Sequence, residues 1–198
     1  MYELPTSIFT DSGDEYKIRN DGDYRMVLDC LEALDDMSLK PLERLYAGLI
    51  IFYNDFNTVD DVNALDKDTV SSLISQMYLF FNLNEEQDDS QKLKPKLVDW
   101  KADALLIVSA INAVTGKEIR SEKYMHWWTF ISYYMSVGES SLSTVITIRD
   151  KVARNKKLET YEKEFRANNP KYFNVDLRTH EQKVNDEWVM SLWNSGSN

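Results

Sequence analysis

Asp99-Trp100-Lys101-Ala102-Asp103 opens a stretch that runs in a helical pattern to Gly116, passes through His126-Trp127-Trp128-Thr129-Phe130 and reaches Arg149. Two adjacent tryptophans behind a histidine sit in a strongly apolar segment of an acidic chain, and nothing around them supplies catalytic chemistry. Neighbouring helical residues point about 100° apart, so Trp127 and Trp128 cannot share one narrow seam. Either their helix is buried over a wide arc, or one ring reaches a partner. Each indole N–H needs an acceptor once it is buried. The stretch reads as one layer of a helical core, and the fold class it predicts is mainly α.

The rest of the chain agrees with that reading. Ile8-Phe9 and Tyr16-Lys17-Ile18 flank Thr10-Asp11-Ser12-Gly13-Asp14, two β-prone runs about a turn that predict a short N-terminal hairpin. Tyr24, Val27, Leu28, Leu31 and Leu34 form the apolar stripe of a first helix behind caps in Asn20-Asp21-Gly22-Asp23. Leu42, Leu45, Leu49, Phe52 and Tyr53 form a second, opened by Ser38 and Pro41. Val70, Leu73, Ile74, Met77, Tyr78 and Phe81 form a third, with Asp68 as its cap. The acidic stretch 84–91 reads as a polar loop closed by Pro95.

Asp99 is then expected to cap a fourth helix that Gly116 ends in a left-handed turn. Ser121 and Glu122 open the helix of the tryptophan pair, which closes near Gly138. Another begins at Ser141 or Ser143 and carries Val145, Ile148 and Val152. A charged helix covers about 156–168, and an amphipathic piece runs from Thr179 to Trp193. These elements predict one helical domain over 1–168 and an extension over 169–198.

Composition narrows the function classes. The chain has 198 residues, 43% of them hydrophobic and 12% aromatic, enough for a true core. Six glycines and four prolines are too few for a loop-rich β-sandwich. The net charge is −10, which repels phosphate backbones and disfavours nucleic acid as a partner. The charge is divided: residues 1–100 carry 21 acidic and 9 basic side chains, residues 101–198 carry 12 and 14. Arg149, Lys151, Arg154, Lys156 and Lys157 form a basic run, read as a solvated face balanced by Glu159, Glu162 and Glu164 or as a contact with the acidic half of a second copy. The one cysteine, Cys30, lies on an apolar helical face and reads as a small buried hydrophobe. With no leader-like N-terminus and no long apolar run, a cytoplasmic, membrane-free setting is expected.

Chemistry-bearing motifs are lacking. Two histidines, His126 and His180, and one cysteine lie far apart, which argues against a zinc site or any other metal centre. There is no G-x-S-x-G elbow, no phosphate-binding loop and no dinucleotide fingerprint, so no cofactor is expected. Acidic pairs are everywhere in a chain with 33 carboxylates and single out no acid–base couple. A hydrolase built on His126 and a carboxylate is the one enzymatic alternative; a core or helix-capping histidine is the reading preferred here.

Several motifs are shared with a known family. Trp100-Lys101-Ala102-Asp103, Thr115-Gly116-Lys117-Glu118-Ile119, His126-Trp127-Trp128-Thr129-Phe130, Val145-Ile146 and Ile148-Arg149 resemble the phage Gp-fifteen family of long-tailed bacteriophages. Leu4-Pro5, the Gly13 turn, Tyr16-Lys17-Ile18 and Asp23-Tyr24-Arg25 fit as well, so the likeness covers roughly 4–168. The family is similar to tail assembly chaperones. The resemblance implies a non-catalytic protein that coats the tape-measure protein, helps recruit tail-tube subunits, acts in the host cytoplasm and leaves the finished virion. A structural tail component or connector that stays in the particle is the alternative. Trp100, Trp127, Trp128 and Arg149 are the expected partner-binding residues, with a homo-oligomer as a further possibility.

Overall fold

The computed structural model describes residues 3–85 and 95–178. In chain order these form β1 (Ser7–Phe9), β2 (Glu15–Lys17), α1 (Tyr24–Asp35), α2 (Pro41–Phe52), α3 (Val59–Asn63), α4 (Lys67–Phe81), α5 (Ala104–Thr115), α6 (Trp127–Met135), α7 (Ser141–Ala153) and α8 (Thr160–Asn168). The protein is mainly α with a two-stranded N-terminal hairpin, as the stripes predict. None of the described helices is long and apolar enough to cross a membrane.

Packing gathers the chain into two compact units, one of Met1–Asp88 with Arg120–Ser136 and one of Asp89–Ile119 with Val137–Asn198. In the first, β1 and β2 pair antiparallel with Ile8 opposite Tyr16, and Gly13 supplies the left-handed residue of the turn. The Asp23 carboxylate caps α1 by accepting from the Arg25 amide at 2.9 Å. Helices α1 and α2 approach closely because Gly48 has no side chain. A Cβ there would come within 2.9 Å of Leu34, and the Cys30 thiol lies 3.3 Å from the Gly48 carbonyl. Cys30 is the buried small residue expected of it, and burial pushes its thiol pKa far up. Leu49, Phe52, Leu73, Met77 and Phe80 fill the centre, with the Phe52 and Phe80 rings edge-on at 5.2 Å.

Several boundaries differ from expectation. Asp66, not Asp68, caps α4, accepting from the Asp68 and Thr69 amides. Ser38 donates to Asp36 in a turn, and Lys40 precedes Pro41 as the residue flanking α2. The five-residue α3 was not anticipated, although Thr58 and Asp61 form a reciprocal capping box at its start. The tryptophan helix begins at Trp127 rather than near Ser121, because the chain before it is drawn into a bridge between Asp23 and His126.

In the second unit, α7 packs against both α5 and α8. Gly116 ends α5 at φ +70°, as predicted. Asp99 does act as a cap, but of a turn: it accepts from the Lys101 and Ala102 amides, and α5 itself begins at Ala104. Asn155 takes a left-handed conformation, so the charged helix begins at Thr160 instead of 156. The amphipathic piece from Thr179 to Trp193 and residues 86–91 of the acidic stretch lie outside the described residues.

Candidate functional site

The His-Trp-Trp motif lies inside the first unit and is fully engaged there. Helix α4 ends at Phe81, and its last carbonyls have no partner within the helix. The Trp127 indole donates to the Phe81 carbonyl and the Trp128 indole to the Phe80 carbonyl, each at 3.0 Å. Two adjacent residues can do this because their acceptors are adjacent too. Trp127 is buried and Trp128 half-buried, and Phe130 stacks on both Trp127 and Tyr24.

His126 caps α6. Its Nδ1 accepts from the Trp128 amide at 3.0 Å, which leaves the proton on Nε2 to donate to the Pro5 carbonyl at 3.1 Å. The ring is 1% exposed and lies over Gly22, where a Cβ would meet Nε2 at 2.9 Å. Burial lowers the His126 pKa, against a smaller upward pull from the Pro5 bond and Asp23. A neutral, enclosed imidazole with both nitrogens engaged is a structural cap, in keeping with the reading preferred from sequence. Among the described residues, no group of three His, Cys, Asp or Glu side chains is placed to hold a metal ion.

Arg149 is not on a solvated face. It is 4% exposed, and its guanidinium makes a two-pronged pair with the fully buried Asp103 at 2.6 and 2.9 Å. It also donates to the Leu97 carbonyl at 2.8 Å and, through Nε, to the Tyr172 carbonyl at 3.0 Å. One side chain of α7 thus ties together the start of α5, the segment before it and the turn at Pro170–Tyr172. Of the remaining basic run, Lys151 pairs with the buried Glu162 at 2.7 Å, and Arg154 pairs with Asp150 at 2.6 Å. Lys156 and Lys157 stay exposed. Trp100 is half-buried beside the Asp99 turn. The four residues singled out from sequence therefore fall two to each unit: Trp127 and Trp128 in the first, Trp100 and Arg149 in the second.

An open concave surface of the first unit lies elsewhere. The turn at Arg19–Gly22, α1, the end of α2 and Lys123-Tyr124 enclose a concavity of about 760 Å³. Met26, Ile50 and Ile51 give it an apolar floor, and Asp21, Asp29, Arg25 and Lys123 give it a rim of mixed charge. Asn20 and Asp21 are both left-handed, φ 51° and 50°, a strained arrangement for residues with side chains. It is held by Arg19, whose guanidinium donates to the carbonyls of Ile50 in the last turn of α2 and of Tyr53 and Phe56 in the chain after it. Partial burial and the charge of Glu32 raise the Asp29 pKa. Sequence reading missed this surface because its parts come from four separate segments.

A family model described as Bacteriophage Gp15 protein matches residues 3–173. The chain belongs to the bacteriophage Gp15 family. Membership marks it as a phage structural or morphogenesis protein. Searches of curated proteins and of solved structures return no match.

Two outcomes test this assignment of roles. Arg149→Met should cost ~3–5 kcal/mol in urea unfolding, because it strands a buried carboxylate, and the double variant Arg149→Met/Asp103→Leu should recover more than half of that loss. A single variant within ~0.5 kcal/mol of the parent would contradict the pairing. For His126 the folded pKa lies below the unfolded value. Its contribution is therefore present above about pH 6.5 and is lost as the pH falls through the folded pKa. His126→Asn, which keeps a capping oxygen but does not titrate, should remove this part of the acid destabilisation when unfolding is compared at pH ~7.5 and ~5.5.

Proposed function

We propose that the protein is a tail assembly chaperone, which covers the tape-measure protein until tail-tube subunits polymerise around it. The observation that carries this reading is membership of the Gp15 family together with a concave surface suited to a helical client. A tape-measure chain is long and helical, and its apolar stripes would aggregate if left bare. An apolar floor with Met26, Ile50 and Ile51, rimmed by both acids and bases, fits the apolar face of an amphipathic helix and its flanking charges. Many weak contacts along one chain would add up by avidity and still be displaceable one at a time. The acidic N-terminal half and the more basic C-terminal half favour successive copies lying head to tail along such a client. No step in this role needs a nucleophile, a metal or a cofactor.

Co-expression with the tape-measure protein of the same phage, followed by affinity capture of the full chain, tests the reading. Capture should be stoichiometric or higher in the chaperone. The exposed rim variants Asp29→Lys and Lys123→Glu should each weaken it about tenfold, the equivalent of ~1.4 kcal/mol, without lowering the melting temperature. Failure of the parent protein to capture its client would reject the chaperone role. Capture unchanged by the rim variants would reject this surface alone.

A further inference from the structure

The second unit has a concavity of its own. The residue before α8, the last turns of that helix and the chain from Pro170 to Asn174 enclose about 340 Å³. Leu158, Ala167, Pro170 and Phe173 make its surface apolar, Lys163 and Arg166 are its two cations, and no acid is among the described residues that line it. Both cations are exposed, and among the described residues neither forms an ion pair; Arg166 lies over the Phe173 ring at 6.0 Å. The neighbouring bases Lys151 and Arg154 are each paired with an acid. The walls are fixed as well. Phe165 meets Phe173 edge-on with the rings 6.4 Å apart, and Arg149 holds the Tyr172 carbonyl. A preformed apolar surface edged by unpaired cations fits an amphipathic segment whose stripe is flanked by acids.

The chain carries such a segment directly downstream. Val184, Trp188 and Leu192 recur every four residues, Val189 and Trp193 stand beside them in the helical pattern, and Glu181, Asp186 and Glu187 outnumber Lys183. Each of the two indoles brings ~150–250 Å² of area that gains by burial. The tether favours docking within one chain. Asn174 lines the concavity, and residues 175–183, fully extended, span up to about 30 Å, against about 13 Å for the length of α8. A short flexible tether holds its segment at an effective concentration on the order of millimolar, so even a weak site fills in cis before a separate chain reaches it.

We propose that the concavity between α8 and the Pro170–Tyr172 turn is the docking site of this chain's own segment 179–193, with the apolar stripe against Leu158, Pro170 and Phe173 and the acids toward Lys163 and Arg166. The inference stands apart from the chaperone reading and does not use the concavity of the first unit.

Zero-length carbodiimide cross-linking of the wild-type full chain tests it, read by peptide mass spectrometry of the monomer, with the Lys151–Glu162 pair as the internal standard. An amide bond should form between Lys163 and Glu181, Asp186 or Glu187. Trp188→Ser, which removes apolar area and no acid, should cut that product about tenfold relative to the standard, and Trp188→Phe should retain it. Arg166→Glu, a change at an exposed position, should cut it as well. Absence of the Lys163 product while the standard forms would overturn the site. A yield unchanged by Trp188→Ser or by Arg166→Glu would reveal a loose tether that only collides with Lys163, and would also overturn it. A product confined to covalent dimers would assign the concavity to a second copy and reject docking in cis.

Discussion

Short helices that stop inside a protein leave backbone carbonyls without partners, and the packing of this chain depends on how long polar side chains satisfy them. The end of α2 is closed by Arg19, which reaches the carbonyls of Ile50, Tyr53 and Phe56. The end of α4 is closed by the indoles of Trp127 and Trp128. In the second unit Arg149 takes the carbonyls of Leu97 and Tyr172 while it neutralises Asp103. These groups join segments far apart in sequence, so each fixes packing as well as hydrogen bonding. They also account for residues that draw the eye first: Trp127, Trp128 and Arg149 are internal fasteners, while Lys156 and Lys157 of the same basic run stay exposed.

Trp127, His126 and Arg149 are enclosed and their polar atoms have partners, so their part in this structure is to hold the fold together. One solvent-facing concavity of the first unit is lined by apolar and by oppositely charged side chains, beside a turn with two left-handed residues. Stabilising that turn through Arg19 places strain beside a surface rather than in the core.

How far the sequence foretold this depends on the range of each interaction. The stripes of α1, α2 and α4, the Asp23 cap and the Gly116 stop are local patterns, and they were legible. The bond by which His126 caps α6 is local, from the Trp128 amide, whereas the engagement of its other nitrogen by Pro5, 121 residues away, has no mark in the sequence. The tryptophan acceptors lie 46 and 48 residues upstream, and no local pattern marks either carbonyl as the target of an indole; that of Phe80 also accepts from the Leu83 amide. Arg149 was misread because its neighbours Lys151, Arg154, Lys156 and Lys157 are charged and surface-like. Its buried partner, Asp103, belongs to a motif quoted for other reasons.

A protein that serves assembly and is then released differs from a structural component in its fate, which quantitative mass spectrometry of infected-cell lysate and of purified phage particles measures directly. A released chaperone should be abundant in the lysate in association with the tape-measure protein and depleted to trace levels in the particles. Retention at a fixed, stoichiometric number of copies per particle would contradict release and identify a structural tail component.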